Sequence, residues 1–149
     1  MISVSDRQRW LAVLAKADVE DLERHWSALG IAPAYRHLRA PETGLVMLRG
    51  RVSGTGAPFN VGEMTVTRCS LVLEDGTVGH GCVGGSDGRH AEIAALCDAL
   101  LQTESRHDDV ERGVIGPLAA AHDAGRQRMA ARAAATRVEF FTVAREAGS

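Results

Sequence analysis

The sequence predicts an α+β fold: an N-terminal helical hairpin, a four-stranded antiparallel sheet, and C-terminal helices packed on that sheet. Two changes of hydrophobic period carry this expectation. Apolar residues recur at helical spacing up to about residue 34, alternate at strand spacing until about residue 84, and return to helical spacing from about residue 89. Short connections between the strand-like runs favour antiparallel neighbours. With 149 residues and no low-complexity linker or internal repeat, the chain is expected to form a single domain, residues 1–149.

Ser5-Asp6-Arg7-Gln8 has the form of a capping box, and Trp10, Val13, Leu14 and Ala17 then share a helical face. Asp18 is placed to cap a second helix with Leu22, His25, Trp26 and Leu29 on one face, ended by Gly30. Residues 34–40 and 45–52 read as two strands joined by a turn at Pro41-Glu42-Thr43-Gly44. In the second of these, Val46, Leu48 and Val52 share one face, and Met47, Arg49 and Arg51 the other. After a long link from Ser53 to Glu63, residues 64–73 form a strand rich in β-branched side chains, and Asp75-Gly76 signals a tight hairpin into a strand over 78–83. A helix is expected over 89–104, with Ile93, Leu96, Cys97, Leu100 and Leu101 as its apolar stripe. Polar residues 105–112 read as a break, and Pro117 opens a last helix. That helix is alanine-rich, so it has high propensity but little to bury. Residues 138–143 fit either a final strand or a helical extension.

Composition narrows the function classes. The chain is 45% hydrophobic with a formal charge of -2, which argues against nucleic-acid binding driven by phosphate neutralisation. No run approaches the ~20 apolar residues of a membrane span, and the N-terminus lacks the layout of a secretion signal. Cys69, Cys82 and Cys97 have no CxxC spacing and read as free thiols in a reducing cytoplasm. His25, His37, His80, His90, His107 and His122 are scattered without metal-ligand spacing, so no metal site is expected. No serine–histidine–acid motif is present, and no catalytic residue is assigned.

Three segments carry chemistry that fits either a ligand or the fold. The loop containing Gly54, Thr55, Gly56 and Gly62 offers backbone N–H groups to an anion, or else is a structured loop at a sheet edge or subunit contact. It lacks the Lys-Ser/Thr ending and following helix of a phosphate loop. Arg68 is a charge within a strand, either solvated or paired with Glu63, a partner's carboxylate or a phosphate. Arg89 and His90 open the long helix, where they either hold an anion or form an exposed first turn behind an Asp87 or Ser86 cap. The candidate interface or phosphate-contact residues are thus Gly54, Thr55, Gly56, Glu63, Arg68, Arg89 and His90.

Several segments, taken in order, resemble the PhnG family: Arg9-Trp10-Leu11-Ala12-Val13-Leu14-Ala15, Pro41-Glu42-Thr43-Gly44-Leu45-Val46, Arg49-Gly50-Arg51, Gly54-Thr55-Gly56-Ala57-Pro58-Phe59, Gly62-Glu63-Met64-Thr65-Val66-Thr67-Arg68, Arg89-His90-Ala91-Glu92 and Arg137-Val138-Glu139-Phe140-Phe141-Thr142. The resemblance implies a cytoplasmic accessory subunit of the carbon–phosphorus lyase core complex, acting with PhnH, PhnI, PhnJ and PhnL. That system attaches methylphosphonate to the ribose C1 of MgATP with release of adenine, forming α-D-ribose 1-methylphosphonate 5-triphosphate. It implies no cofactor in this chain, MgATP being a substrate of the complex, and it brings no established catalytic residues. The alternative from the residues alone is a stand-alone phosphate- or nucleotide-binding enzyme using the glycine-rich loop with Arg68, Arg89 and His90.

Overall fold

Two capped helices open the chain. The computed structural model describes residues 2–136. Helix α1, Val4–Lys16, is started by Ser3, whose Oγ accepts from the Asp6 backbone while Asp6 returns a bond to the Ser3 backbone. The capping box therefore lies two residues ahead of the expected Ser5. Asp18 caps α2, Val19–Ala28, by accepting from the Glu20 and Asp21 amides, and Gly30 leaves the helix with φ of 62°. Trp10, Leu14, Leu22 and Trp26 form the buried stripes of the pair.

The sheet has three strands, not four. The two expected runs at 34–40 and 45–52 are one strand, β1, Tyr35–Arg51. Pro41-Glu42-Thr43-Gly44 does not turn. Its irregularity is absorbed by shifts of register between His37 and Glu42, as β1 pairs antiparallel with β2, Pro58–Leu73. Proline is tolerated there because β1 lies at the sheet edge, where an absent N–H breaks no ladder on the open side. Gly76, with φ of 87°, makes the expected hairpin into β3, Val78–Gly84, which pairs only with Val66–Val72 of β2. Beyond Val66, the distal halves of β1 and β2 therefore continue as a two-stranded arm.

Helix α3, Gly88–Leu101, is the middle layer. Eleven of its fourteen residues are buried, which is why no single apolar stripe describes it. One side lies on β2 and β3; α1 and α2 pack on it from elsewhere. Gly79 and Gly81 of β3 allow the close approach: a Cβ on Gly79 would lie 2.0 Å from the Ala95 carbonyl oxygen, and one on Gly81 would lie 2.1 Å from that of Ala91. Alternation along β3 buries Gly79, Gly81 and Val83 against the helices and leaves His80 and Cys82 exposed on the opposite face.

Of the segment expected as a break, residues 105 and 106 lie in a turn and residues 107–112 are helical. Helix α4, His107–Val110, passes through a π-helical turn, Glu111–Ile115, into α5, Gly116–Ala135. The wider turn buries Val114 and Ile115 side by side. Pro117 sits in the first turn of α5, as the sequence indicates, and Leu118 is the buried residue of that helix. The segment 138–143 lies outside the described residues.

Candidate functional site

The sequence-derived candidates fall at three places. Gly54, Thr55 and Gly56 form the tip of the arm. Val52–Gly54 makes a single 3-10 turn in which Ser53 has φ of 52° and Gly54 has φ of 77°. The Gly56 amide donates to the Val52 carbonyl at 2.8 Å, and Arg51 Nη1 donates to the Gly56 carbonyl at 3.1 Å. A Cβ on Gly56 would sit 2.7 Å from the Val52 oxygen, so the turn requires glycine at that position. The tip thus closes on its own backbone rather than opening a nest of free amides.

Glu63 lies along the arm opposite Met47 and makes no ion pair among the described residues. The pairing considered between Glu63 and Arg68 is absent. Arg68 instead donates from Nη2 to Glu42 Oε1 at 2.9 Å, its direct neighbour across the β1–β2 ladder. Arg39 grips the same oxygen. The hydrogen bond from Arg39, then burial against it, then the charges of both arginines, leave the Glu42 carboxyl below its ordinary value. All three side chains are about half exposed on the helix-free face of the sheet, beside a Ser70 Oγ–His80 Nδ1 contact of 2.9 Å. Pro58 at the arm tip and Arg68 are ten positions apart on β2, roughly 33 Å.

Arg89 and His90 diverge although adjacent. Asp87 caps α3 through the His90 amide at 2.9 Å. The His90 ring turns inward and its Nε2 meets the Leu14 carbonyl at 2.8 Å, tying α3 to α1. Arg89 stays at the surface, 2.8 Å from Glu92 and 3.8 Å from Glu23. The arm tip, Arg68 and Arg89 are not brought together into one pocket.

Two constellations escaped the sequence. Glu92 gathers the Tyr35 hydroxyl at 2.9 Å, His37 Nε2 at 2.9 Å and Arg89 Nη1 at 2.8 Å, tying edge strand β1 to α3. Burial pushes its carboxyl up, but the bonds from Arg89, Tyr35 and His37 and the Arg89 charge outweigh it and hold the group below its ordinary value. Tyr35 moves up through burial and through its bond to the Glu92 carboxylate. Nothing in the sequence links Tyr35 and His37 of the expected first strand to Glu92. The second constellation centres on Asp98, which is wholly buried. It accepts from Arg7 Nε at 3.1 Å and Nη2 at 2.7 Å, Trp10 Nε1 at 2.9 Å, and the His80 backbone amide at 2.9 Å.

Neither constellation has the form of a catalytic centre. Each carboxylate is saturated by donors from separate elements, which suits cross-linking of the fold. Cys69 is buried and its thiol is pushed up to about 11, by burial and by Glu92, and is not primed as a nucleophile. Cys97 is pushed up further by burial. A groove of about 500 Å³ beside the start of α1 is lined by Ser3, Arg7, Leu11 and Gln102 and holds none of the candidate residues. Among the described residues no three His, Cys, Asp or Glu side chains are grouped to hold a metal, and no helix is long and apolar enough to cross a membrane.

Comparison with known proteins agrees with the segments read above. Residues 5–146 match the family described as phosphonate metabolism protein PhnG. A curated relative from Rhizobium meliloti (strain 1021), the alpha-D-ribose 1-methylphosphonate 5-triphosphate synthase subunit PhnG, is 43% identical over 142 residues, covering 95% of this chain and 90% of the relative. Over nearly its whole length, therefore, the chain belongs to the PhnG family of phosphonate metabolism proteins.

Proposed function

We propose that the chain is an accessory subunit of α-D-ribose 1-methylphosphonate 5-triphosphate synthase, working in a cytoplasmic complex with PhnH, PhnI, PhnJ and PhnL. The complex joins methylphosphonate to the ribose C1 of MgATP and releases adenine; this subunit shapes and stabilises the assembly and holds no cofactor. The relative that is 43% identical is a subunit of that synthase, and this is the observation that carries the reading. Two features of the chain support it. Its candidate polar residues do not converge on one pocket, and the carboxylates of Asp98 and Glu92 are spent on internal ties. Both the β1–β2 arm and the outer part of α5 project without cover from the rest of the described residues, as expected of a subunit that completes its packing against others.

A stand-alone phosphate-binding enzyme finds no such support: the glycine turn bonds to itself, His90 faces the core, and Arg89 and Arg68 are engaged by carboxylates. We place Arg68 and the tip residues Gly54, Thr55 and Gly56 at contacts with partner subunits, with Glu63 between them on the arm. Co-expression with the other subunits and an adenine-release assay test the function. The complete set should form α-D-ribose 1-methylphosphonate 5-triphosphate from MgATP and methylphosphonate with release of adenine, and omission of this chain should abolish assembly or formation of that product. Full activity without it would overturn the proposal.

A further inference from the structure

The β1–β2 arm, residues 45–65, carries exposed apolar side chains on both of its faces. Val46, Leu48 and Met64 project to one side: Val46 is Met64's direct cross-strand partner, and Leu48 follows two residues on. Leu45 and Met47 project to the other, which also carries Arg49, Arg51 and Glu63. Val61, at a bulge where β2 carries one extra residue, and Phe59 lie against Gly50 nearer the tip. These seven apolar side chains are between 38% and 64% exposed. A two-stranded ribbon is at best marginally stable alone in water, and an uncovered apolar ribbon invites aggregation.

We infer that this arm inserts into an apolar cleft of another subunit of the synthase, which covers both faces of the ribbon at once. The inference rests on the proposed function and specifies where and how the chain engages its complex. Area and symmetry select the occupant. The arm is roughly 23 Å long and about 10 Å wide, so each face offers on the order of 250 Å² and both together about 500 Å². A standard interface takes about 800 Å² from each partner. One face alone is a poor basis for association; two faces supply more than half of what is needed. A two-fold dimer of this chain through the arm sets the same patch of each copy against the other, covering one face of each ribbon and leaving the second in water. A cleft of a different subunit covers both. Arg49 and Arg51 near the tip, against the single carboxylate of Glu63, suit a cleft with an acidic group at its depth.

The test uses the full chain co-expressed with PhnH, PhnI and PhnJ. One variant, Leu45→Asp with Met47→Asp, alters one face; another, Val46→Asp with Leu48→Asp, alters the other. Each should weaken co-purification by about thirtyfold or more, as for loss of buried anchors. The isolated variants should keep the wild-type circular dichroism and cooperative melt, because the arm lies outside the core. Wild-type assembly matched by both variants would overturn the arm inference while leaving the functional proposal intact. Sensitivity of only one face, with a dimer of the isolated chain lost in parallel, would replace the cleft by self-association. Failure of the wild-type chain itself to assemble would sink the functional proposal and this inference with it.

Discussion

Arg7 clamps the carboxylate of Asp98 with two hydrogen bonds, from Nε at 3.1 Å and Nη2 at 2.7 Å, although the residues lie 91 positions apart. The pair joins the first turn of α1 to the C-terminal half of α3. Trp10 Nε1 and the His80 amide complete the shell, so one acid satisfies donors from α1 and β3 together. Asp98→Ala leaves the Trp10 indole and His80 amide donors without their acceptor and is expected to cost about 2–5 kcal/mol. Arg7→Ala leaves the wholly buried Asp98 carboxylate without its cation and is expected to cost a comparable amount, about 3–5 kcal/mol. Urea denaturation of the two variants checks this; a cost below about 1 kcal/mol for either would refute the hub.

Gly81→Ala should damage the fold where Gly84→Ala does not. The added methyl at Gly81 meets the Ala91 backbone oxygen at 2.1 Å, and backbone cannot rotate aside. Either β3 separates from α3 or the strand bends, at a cost of about 1–3 kcal/mol or more. At Gly84, three residues on along the same strand, nothing lies within 4 Å of the new methyl, and the change should stay within about 0.5 kcal/mol. Melting temperatures of the two variants measure this contrast directly.

Much of this architecture was legible because local chemistry and tertiary outcome agree. Asp18 caps α2, Asp75-Gly76 turns the hairpin, and Pro117 sits in the first turn of α5, each for reasons internal to a few residues. Misreadings arose where a distant partner decides. Pro41-Glu42-Thr43-Gly44 has turn chemistry, yet β2 runs alongside and holds it extended, so two expected strands are one. The distal half of β2 was read as a link because, in an arm that buries nothing in the core, no clean alternation of apolar and polar residues marks a strand. Asp98 stands within an apolar helix, and its role depends on donors that converge only in three dimensions. Of the site candidates, the positions of the glycine turn and Arg89 at element ends were legible. The inward turn of His90 and the choice of Glu42 as Arg68's partner were not, because each is set by packing or register across long sequence separations.

The Glu92 tie should weaken in acid. Its carboxyl lies lower in the folded chain than the ordinary value near 4.5, so the unfolded chain takes up its proton first as pH falls. The contribution is fully present above about pH 4.5 and is lost as pH drops through the folded value. At neutral pH, Glu92→Gln should cost about 1 kcal/mol, a modest amount because Arg89 is half exposed. The gap between wild type and Glu92→Gln should shrink as pH falls below that window, and thermal melts at pH 7 and about pH 3 would expose it. A gap that widens in acid would contradict the assigned direction.

Arg68 separates the solvated face from the partner contact. In the isolated chain it pairs with Glu42, and both side chains are about half exposed, so Arg68→Ala should change subunit stability by no more than about 1 kcal/mol. If a partner covers this helix-free face, the same guanidinium becomes desolvated, and losing an ionic partner there costs about 2–5 kcal/mol. The difference between these magnitudes is what the experiment reads. We expect Arg68→Ala to melt as wild type does, to assemble more weakly with the other subunits, and to regain adenine release when subunit concentration is raised. Intact assembly with turnover lost at every concentration would instead place Arg68 beside the nucleotide or phosphonate. Normal assembly and full turnover would leave the Arg39–Glu42–Arg68 cluster as a solvated surface network, and its place at a subunit contact would have to be withdrawn.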